Sequence, residues 1–353
     1  MKAWVLHDIG DIRYEDVDVP VAAPGEVRIR VAAAGICGSD IPRIFETGAH
    51  RMPLIPGHEF AGTVVDTGKG VAAFRSGKRV AVFPKIACKK CRMCREGHPE
   101  LCTDYDYTGS RRDGAFAEYV TVPAENLLEL PDSISFEQAA MLEPLAVAAN
   151  AVRTGCFAVP KTAAVCGAGP IGLAVVMMLK HLGCESVFLI ANKDAQKERA
   201  GLFGIGDEAF CDSRYKDPSK WLSDVTDGGA EVYFECVGNN ESIYYGIEGL
   251  APEGRLVLVG NPASDMSFSR DTYWKILRNR LTLSGIWNSS FSQADQDPEE
   301  CGDDWHFVLR MIAEGGISPE KLISHRFPLE ELDEALGVMK DRKSDRCKVM
   351  IVS

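Results

Sequence analysis

Ala163-Ala164-Val165-Cys166-Gly167-Ala168-Gly169-Pro170-Ile171-Gly172 joins a short apolar run to three spaced glycines, and a stretch at helical spacing follows over 171–182. Three glycines in a chain that holds 33 can fall this way by chance. A strand before them and a helix after them give the context a dinucleotide-binding turn needs. Gly167 would permit the tight turn, Gly169 would let backbone approach a pyrophosphate, and Gly172 would let helix pack on strand. The helix opened by Pro170 and Ile171 would offer unpaired N–H groups and its positive dipole end to the phosphates.

Outward from this stretch the rhythm repeats. Runs at 187–190, 232–236, 256–259 and 281–286 read as further strands, with helical stretches between several of them. Strands alternating with helices imply a doubly wound parallel sheet. An acidic residue is expected about 20 residues past the glycines to bind the ribose hydroxyls. Ala191-Asn192-Lys193 stands there instead. The missing carboxylate removes repulsion toward a 2′-phosphate, and Lys193 offers a partner for one, which favours NADP over NAD. The alternative is that Asp194 reaches the ribose and Lys193 is solvated surface.

The N-terminal part reads differently. Runs at 27–31, 61–65, 79–83 and 117–122 are short, β-branched or alternating, and broken by Gly and Pro, as in a compact barrel-like β domain. Ser135 and Gln138 fit a capping box, and apolar residues continue at helical spacing to Val152. The tail contains helices and a last apolar strand at 348–352, placed to return to the first domain. The implied organisation is one discontinuous domain of residues 1–150 and 288–353 around a nucleotide-binding domain of residues 151–287.

The net charge of −12 argues against wrapping nucleic acid. No apolar run is long enough to cross a bilayer, and the first ten residues lack a signal-peptide core. Twelve cysteines without secretion signals fit a reducing cytoplasm better than a disulfide framework.

Four of those cysteines are clustered. Cys88, Cys91 and Cys94, followed by Cys102, can surround one tetrahedral Zn²⁺ in a closed structural site. Exposed free thiols at such density would be an oxidation liability. Cys156, Cys166, Cys184, Cys211, Cys236, Cys301 and Cys347 are scattered and read as small core or loop residues. Apart from the lobe stand Cys37-Gly38-Ser39-Asp40, Gly57-His58-Glu59, and Glu143 among Met141, Leu142, Leu145 and Val147. A cysteine, a histidine and a glutamate make a zinc site that leaves one position open, and a carboxylate in so apolar a helix needs a partner.

These motifs, in this order, resemble the zinc-containing medium-chain dehydrogenases/reductases over essentially the whole chain. The resemblance implies a GroES-like β-barrel catalytic domain plus a Rossmann domain, an α/β architecture, and a homodimer or homotetramer. It implies that Cys37, His58 and Glu143 hold a catalytic zinc, that Glu59 coordinates or approaches the metal, and that Ser39 passes on the substrate proton. Glutamate at 143 points to the polyol dehydrogenase branch. Pro42-Arg43-Ile44-Phe45, Gly48-Ala49-His50, the stretch from Gly109 to Gly114, Lys275-Ile276-Leu277-Arg278, and Trp287 with Asn288 are similar to the galactitol-1-phosphate 5-dehydrogenase family. Ala191 stands where that family has its ribose-binding aspartate. Arg43, Arg51, Arg111 and Arg112 supply guanidinium forks for a substrate phosphate, unless they pair with carboxylates of the protein. The expected activity is hydride transfer between a sugar alcohol and NADP or NAD with two zinc ions per chain. An unphosphorylated polyol or secondary alcohol is the alternative. A non-catalytic NADP-binding protein is a second, against which Cys37, His58 and Glu143 speak.

Overall fold

The structure is a computed structural model, and it describes residues 1–262, 264–293, 302–341 and 343–353. Cys301 lies outside them. The chain divides into two compact units, Met1–Ala146 with Ser289–Ser353, and Val147–Asn288.

The central unit is built on six parallel strands in the order Phe210–Asp212, Ser186–Ala191, Thr162–Cys166, Ala230–Glu235, Leu250–Leu258 and Thr282–Gly285. Numbered along the chain, that order is 3-2-1-4-5-6, with the crevice for a ligand outside the strand ends where the order reverses. The first strand is buried along four of its five residues, as a strand covered on both faces must be. Helix Pro170–His181 buries eight of its residues, from Gly172 to Leu179.

Two expectations shift here. The strand Phe210–Asp212 is too short for a period to show in sequence. The fifth strand starts at Leu250 rather than Leu256, because Pro252, Glu253 and Gly254 interrupt its apolar pattern; Glu253 has φ +64°, and the register slips between Ala230 and Val232 opposite it.

The outer unit contains a sheet in the order Ile323–Phe327, Lys348–Val352, Glu26–Ile36, Glu59–Thr67, Arg79–Val82 and Leu127–Glu129, with Tyr119–Pro123 also paired to Glu26–Ile36. The C-terminal strand does return. Val349 to Val352 pair antiparallel with Ile36 to Ala33. The long strand Glu26–Ile36 carries two register shifts, between Arg28 and Ile29 and between Val31 and Ala33, and such bulges bend a strand. This strand runs five residues past its expected end, so Cys37 follows it directly. A run read as starting at Ala117 begins at Tyr119, since Ala117 bridges Ala3 in the N-terminal hairpin. That hairpin, Lys2–Asp8 with Asp11–Asp16, has no counterpart among the runs read from the sequence.

The Ser135–Gln138 capping box is formed, but the helix it starts stops at Ala140, and a second helix runs Leu142–Gly155. Pro144 explains the break. It has no N–H for the Ala140 carbonyl, and its ring crowds that oxygen. Glu143 therefore lies in the first turn of the second helix rather than inside a continuous one. A carboxylate there meets the positive end of the helix dipole.

Candidate active site and its relatives

Cys37 leaves the strand Glu26–Ile36 into a tight turn, and its N–H donates to Asp40 Oδ2 at 3.0 Å. His58 and Glu59 enter the neighbouring strand at a glycine. Gly57 has φ +99°, and a Cβ on it would meet the Phe116 ring at 2.8 Å. Gly109 and Gly114 close on the same spot. A Cβ on either would lie 2.4 or 2.2 Å from the Gly57 carbonyl oxygen. The loop 109–114 is thus pinned to the His58 turn by three residues that admit no side chain.

The Cys37 sulfur, a His58 ring nitrogen and a Glu59 carboxylate oxygen all lie within 4.8 Å of one another. That spacing suits one ion with bonds of about 2.0–2.3 Å. His58 is buried, and its Nδ1 has no hydrogen-bond partner in the protein. Burial works against charging that imidazole. The Asp40 carboxylate, 3.4 Å from Nδ1, and the Cys37 sulfur outweigh burial and hold it well above its usual range. Burial would also raise Asp40, but His58, Arg43 and the Cys37 N–H together lower it. A cation at this spot answers the same negative groups without a proton, so the residues fit zinc.

Glu59, not Glu143, joins Cys37 and His58 in the cluster, and Glu59 is also paired with the buried ammonium of Lys348. A Cβ on Gly35 would fall 2.3 Å from the Glu59 carboxylate, so only glycine leaves room for it. Glu143 is buried as expected, but its Oε1 accepts the Tyr107 hydroxyl at 3.2 Å. Burial first, and repulsion from Glu59, push its carboxyl up to about 7 against the pull of His58. Ser39 is half-buried in the Cys37 turn, and its carbonyl accepts the Arg43 N–H at 3.4 Å. Asp40, Tyr107 and Lys348 were given no role by sequence reasoning, although Asp40 stands within the Cys37 motif.

Cys88, Cys91, Cys94 and Cys102 also gather within 4.8 Å. Cys91 lies 3.4 Å from the Cys94 sulfur and 3.9 Å from that of Cys102. Tetrahedral zinc with bonds of about 2.3 Å puts sulfurs about 3.8 Å apart. N–H groups of Cys94 and Thr103 bring Cys91 down to about 6. Burial and the neighbouring thiols push Cys94 up to about 12. Thiols so divided need a dication to be thiolates together. Among the described residues these two are the groups able to hold a metal.

The arginines divide. Arg43 pairs with Asp40 at 2.5 Å, Arg51 with Asp113 at 3.1 Å, and Arg112 with Glu26 at 2.7 Å. Arg111 stacks 4.6 Å over the Tyr105 ring, and its Nε is buried without a partner. His50, Arg51, Tyr105 and Arg111 line a cavity of about 480 Å³.

In the central unit Gly167 has φ +104°, and a Cβ on Gly172 would sit 1.8 Å from the Gly167 oxygen. Gly169 is the N-cap of helix Pro170–His181, with Pro170 at its first position and Ile171 next, and no side chain caps it. An anion can take that place. Glu235 is buried at the end of the fourth strand and accepts the N–H groups of Val237 and Gly238 and the Ser242 hydroxyl, each at 2.7 Å. Asn192 and Lys193 are exposed past the second strand, and Lys193 starts helix Asp194–Gly201. Asp194, the alternative ribose ligand, is paired with Arg214, which also grips Asp212 at 2.5 Å.

Comparison with known proteins agrees with this layout. Residues 23–132 match the alcohol dehydrogenase GroES-like domain, and residues 170–305 match the zinc-binding dehydrogenase family. Galactitol 1-phosphate 5-dehydrogenase of Escherichia coli K12 is 33% identical over 337 residues, 95% of each chain. The crystal structure of galactitol-1-phosphate dehydrogenase from Escherichia coli superposes with a TM-score of 0.90 at 32% identity, covering 100% of both chains. A zinc-binding dehydrogenase from Sinorhizobium meliloti bound to NADP gives a TM-score of 0.89 at 26% identity, covering 100% of this chain and 99% of the other. The chain belongs to the zinc-type medium-chain alcohol dehydrogenase family and is an oxidoreductase of the alcohol and polyol dehydrogenase kind.

Proposed function

We propose that the protein interconverts a phosphorylated sugar alcohol and its ketose phosphate, with NADP as hydride carrier and zinc held by Cys37, His58 and a glutamate. The observation that carries this reading is the convergence of Cys37, His58 and Glu59, with their donor atoms within 4.8 Å of one another and His58 and Glu59 buried. When bound, zinc supplies the Lewis acidity that lowers the pKa of a hydroxyl, and the nicotinamide takes up or returns the hydride.

The chain's own residues do the rest. Asp40 fixes His58 and, through Arg43, its own turn. Ser39 is the hydroxyl that moves the substrate proton outward. Gly167, Gly169, Pro170, Ile171 and Gly172 receive the pyrophosphate, and Asn192 and Lys193 face the ribose 2′-phosphate. Cys88, Cys91, Cys94 and Cys102 hold a second, structural zinc.

Arg111 is the phosphate-binding residue of the set, because Arg43 and Arg112 are spent on Asp40 and Glu26. Its guanidinium fork lines a cavity with His50 and Arg51, and with Asp104 and Asp106, and a fork of this kind pairs with phosphate oxygens. The same pairing of three arginines favours a second reading, an unphosphorylated polyol. We place the enzyme in the cytoplasm, a reducing compartment that keeps metal-ligating cysteines available as thiolates. We infer a homodimer or homotetramer through the edge strand Thr282–Gly285, whose preceding helix exposes Tyr273, Trp274 and Leu277.

Initial rates of reduction of tagatose 6-phosphate, fructose 6-phosphate and the free sugars, with NADPH and NADH, separate the readings. The phosphorylated sugar is expected to give the higher specificity constant, and Arg111→Gln to remove that advantage. Equal constants with and without phosphate would discard the phosphate-binding role and leave the polyol reading.

A further inference from the structure

Glu143 is a buried carboxylate, and a carboxylate in that setting needs donors or a cation. Among the described residues its one side-chain donor is the Tyr107 hydroxyl, at 3.2 Å from Oε1. A buried tyrosine usually satisfies its hydroxyl on any nearby acceptor. This one is aimed at a carboxylate beside the Cys37–His58–Glu59 cluster, with its ring centroid 5.8 Å from that of His58 and edge-on to it.

The mount of Tyr107 is rigid. Its short strand Asp106–Tyr107 pairs with Lys85–Ile86. Its carbonyl accepts three N–H groups, from Ser110 at 3.2 Å, Arg111 at 2.8 Å and Arg112 at 3.2 Å. The Thr108 N–H donates to the Pro84 carbonyl at 2.9 Å. Two residues on, Gly109 abuts Gly57, so the loop that carries Tyr107 is fixed against the turn that carries His58.

We infer that Tyr107 is a positioning residue: its hydroxyl holds the Glu143 carboxylate in register with the Cys37–His58–Glu59 metal centre and so sets how tightly that centre keeps its zinc. The inference rests on the proposal that zinc sits there. Donors that orient a metal-binding carboxylate act on affinity without touching the metal, and their loss costs about 10–100-fold. Phenylalanine at 107 keeps the ring against His58 and deletes only the hydroxyl.

The test is zinc release from the zinc-loaded protein to a chromogenic chelator. Cys37→Ser identifies the phase that belongs to the four-cysteine site. Tyr107→Phe is expected to speed release from the open centre about 10–100-fold and to leave the four-cysteine phase unchanged. Glu143→Gln is expected to do the same, and the double variant to be no faster than Glu143→Gln alone, because the hydroxyl acts through that carboxylate. Wild-type release rates in Tyr107→Phe, or full additivity in the double variant, would overturn the inference while leaving the zinc proposal standing. Release of a single zinc per chain from the wild type, in the phase Cys37→Ser retains, would overturn both.

Discussion

Lys348→Met removes one half of the buried ion pair between Lys348 and Glu59, which gathers with Cys37 and His58. Lys348 and Glu59 are 3% and 1% exposed, so solvent screens neither charge. Lys348 opens the strand Lys348–Val352, and its ammonium also reaches the Ile36 carbonyl at 3.4 Å. Methionine keeps the length of the side chain and leaves Glu59 without its cation. Breaking a buried pair from one side costs about 3–5 kcal/mol. For a unit of this size each kcal/mol moves the melting temperature by about 2–4 °C, so the loss is about 6–20 °C. Zinc at the proposed site beside Glu59 would supply the missing positive charge, so the loss should be smaller in zinc-loaded protein than in zinc-stripped protein. Scanning calorimetry on both forms measures it. A melting temperature within about 2 °C of wild type in both forms would show that Glu59 does not depend on Lys348, and the electrostatic account of the centre would fail.

Gly172→Ala puts a methyl group against the Gly167 oxygen, 1.8 Å from an ideal Cβ, so NADPH binding followed by fluorescence should fall at least about 10-fold with little change in zinc content. Lys193→Ala should weaken NADPH about 10–100-fold, the worth of one charge-assisted hydrogen bond, and leave NADH within about 2-fold, as read by the ratio of specificity constants. Cys91→Ser should cost one zinc per chain by metal analysis and lower the melting temperature, since the ligands of a closed structural site contribute folding energy.

The central sheet was legible because its deciding stretch combines two independent signals, glycine spacing and a switch from strand to helix rhythm. Phe210–Asp212 was not, since three residues show no period. The break at Met141 was written in Pro144, but the apolar pattern runs straight across it and hides it. In the site, Cys37 and His58 stand out through their neighbours in sequence. Lys348 lies 289 residues from Glu59, and only the return of the last strand brings them together. Which glutamate joins the cluster depends on strand and helix placement to within an ångström or two, which residue types do not encode. The arginines show the reverse problem. Their number was visible, but Asp40, Glu26 and Asp113 take three of them, and that is a fact of packing.

Hydride transfer is proposed here to need zinc at Cys37 and His58. Metal analysis together with NADPH-dependent ketose phosphate reduction, on the wild type and on Cys37→Ser, tests it most directly. Two zinc ions per chain are expected in the wild type and one in Cys37→Ser, with a loss of turnover of at least about 10³-fold, set by the several kcal/mol that a Lewis acid contributes. A Cys37→Ser enzyme that keeps its turnover with one zinc per chain would contradict it.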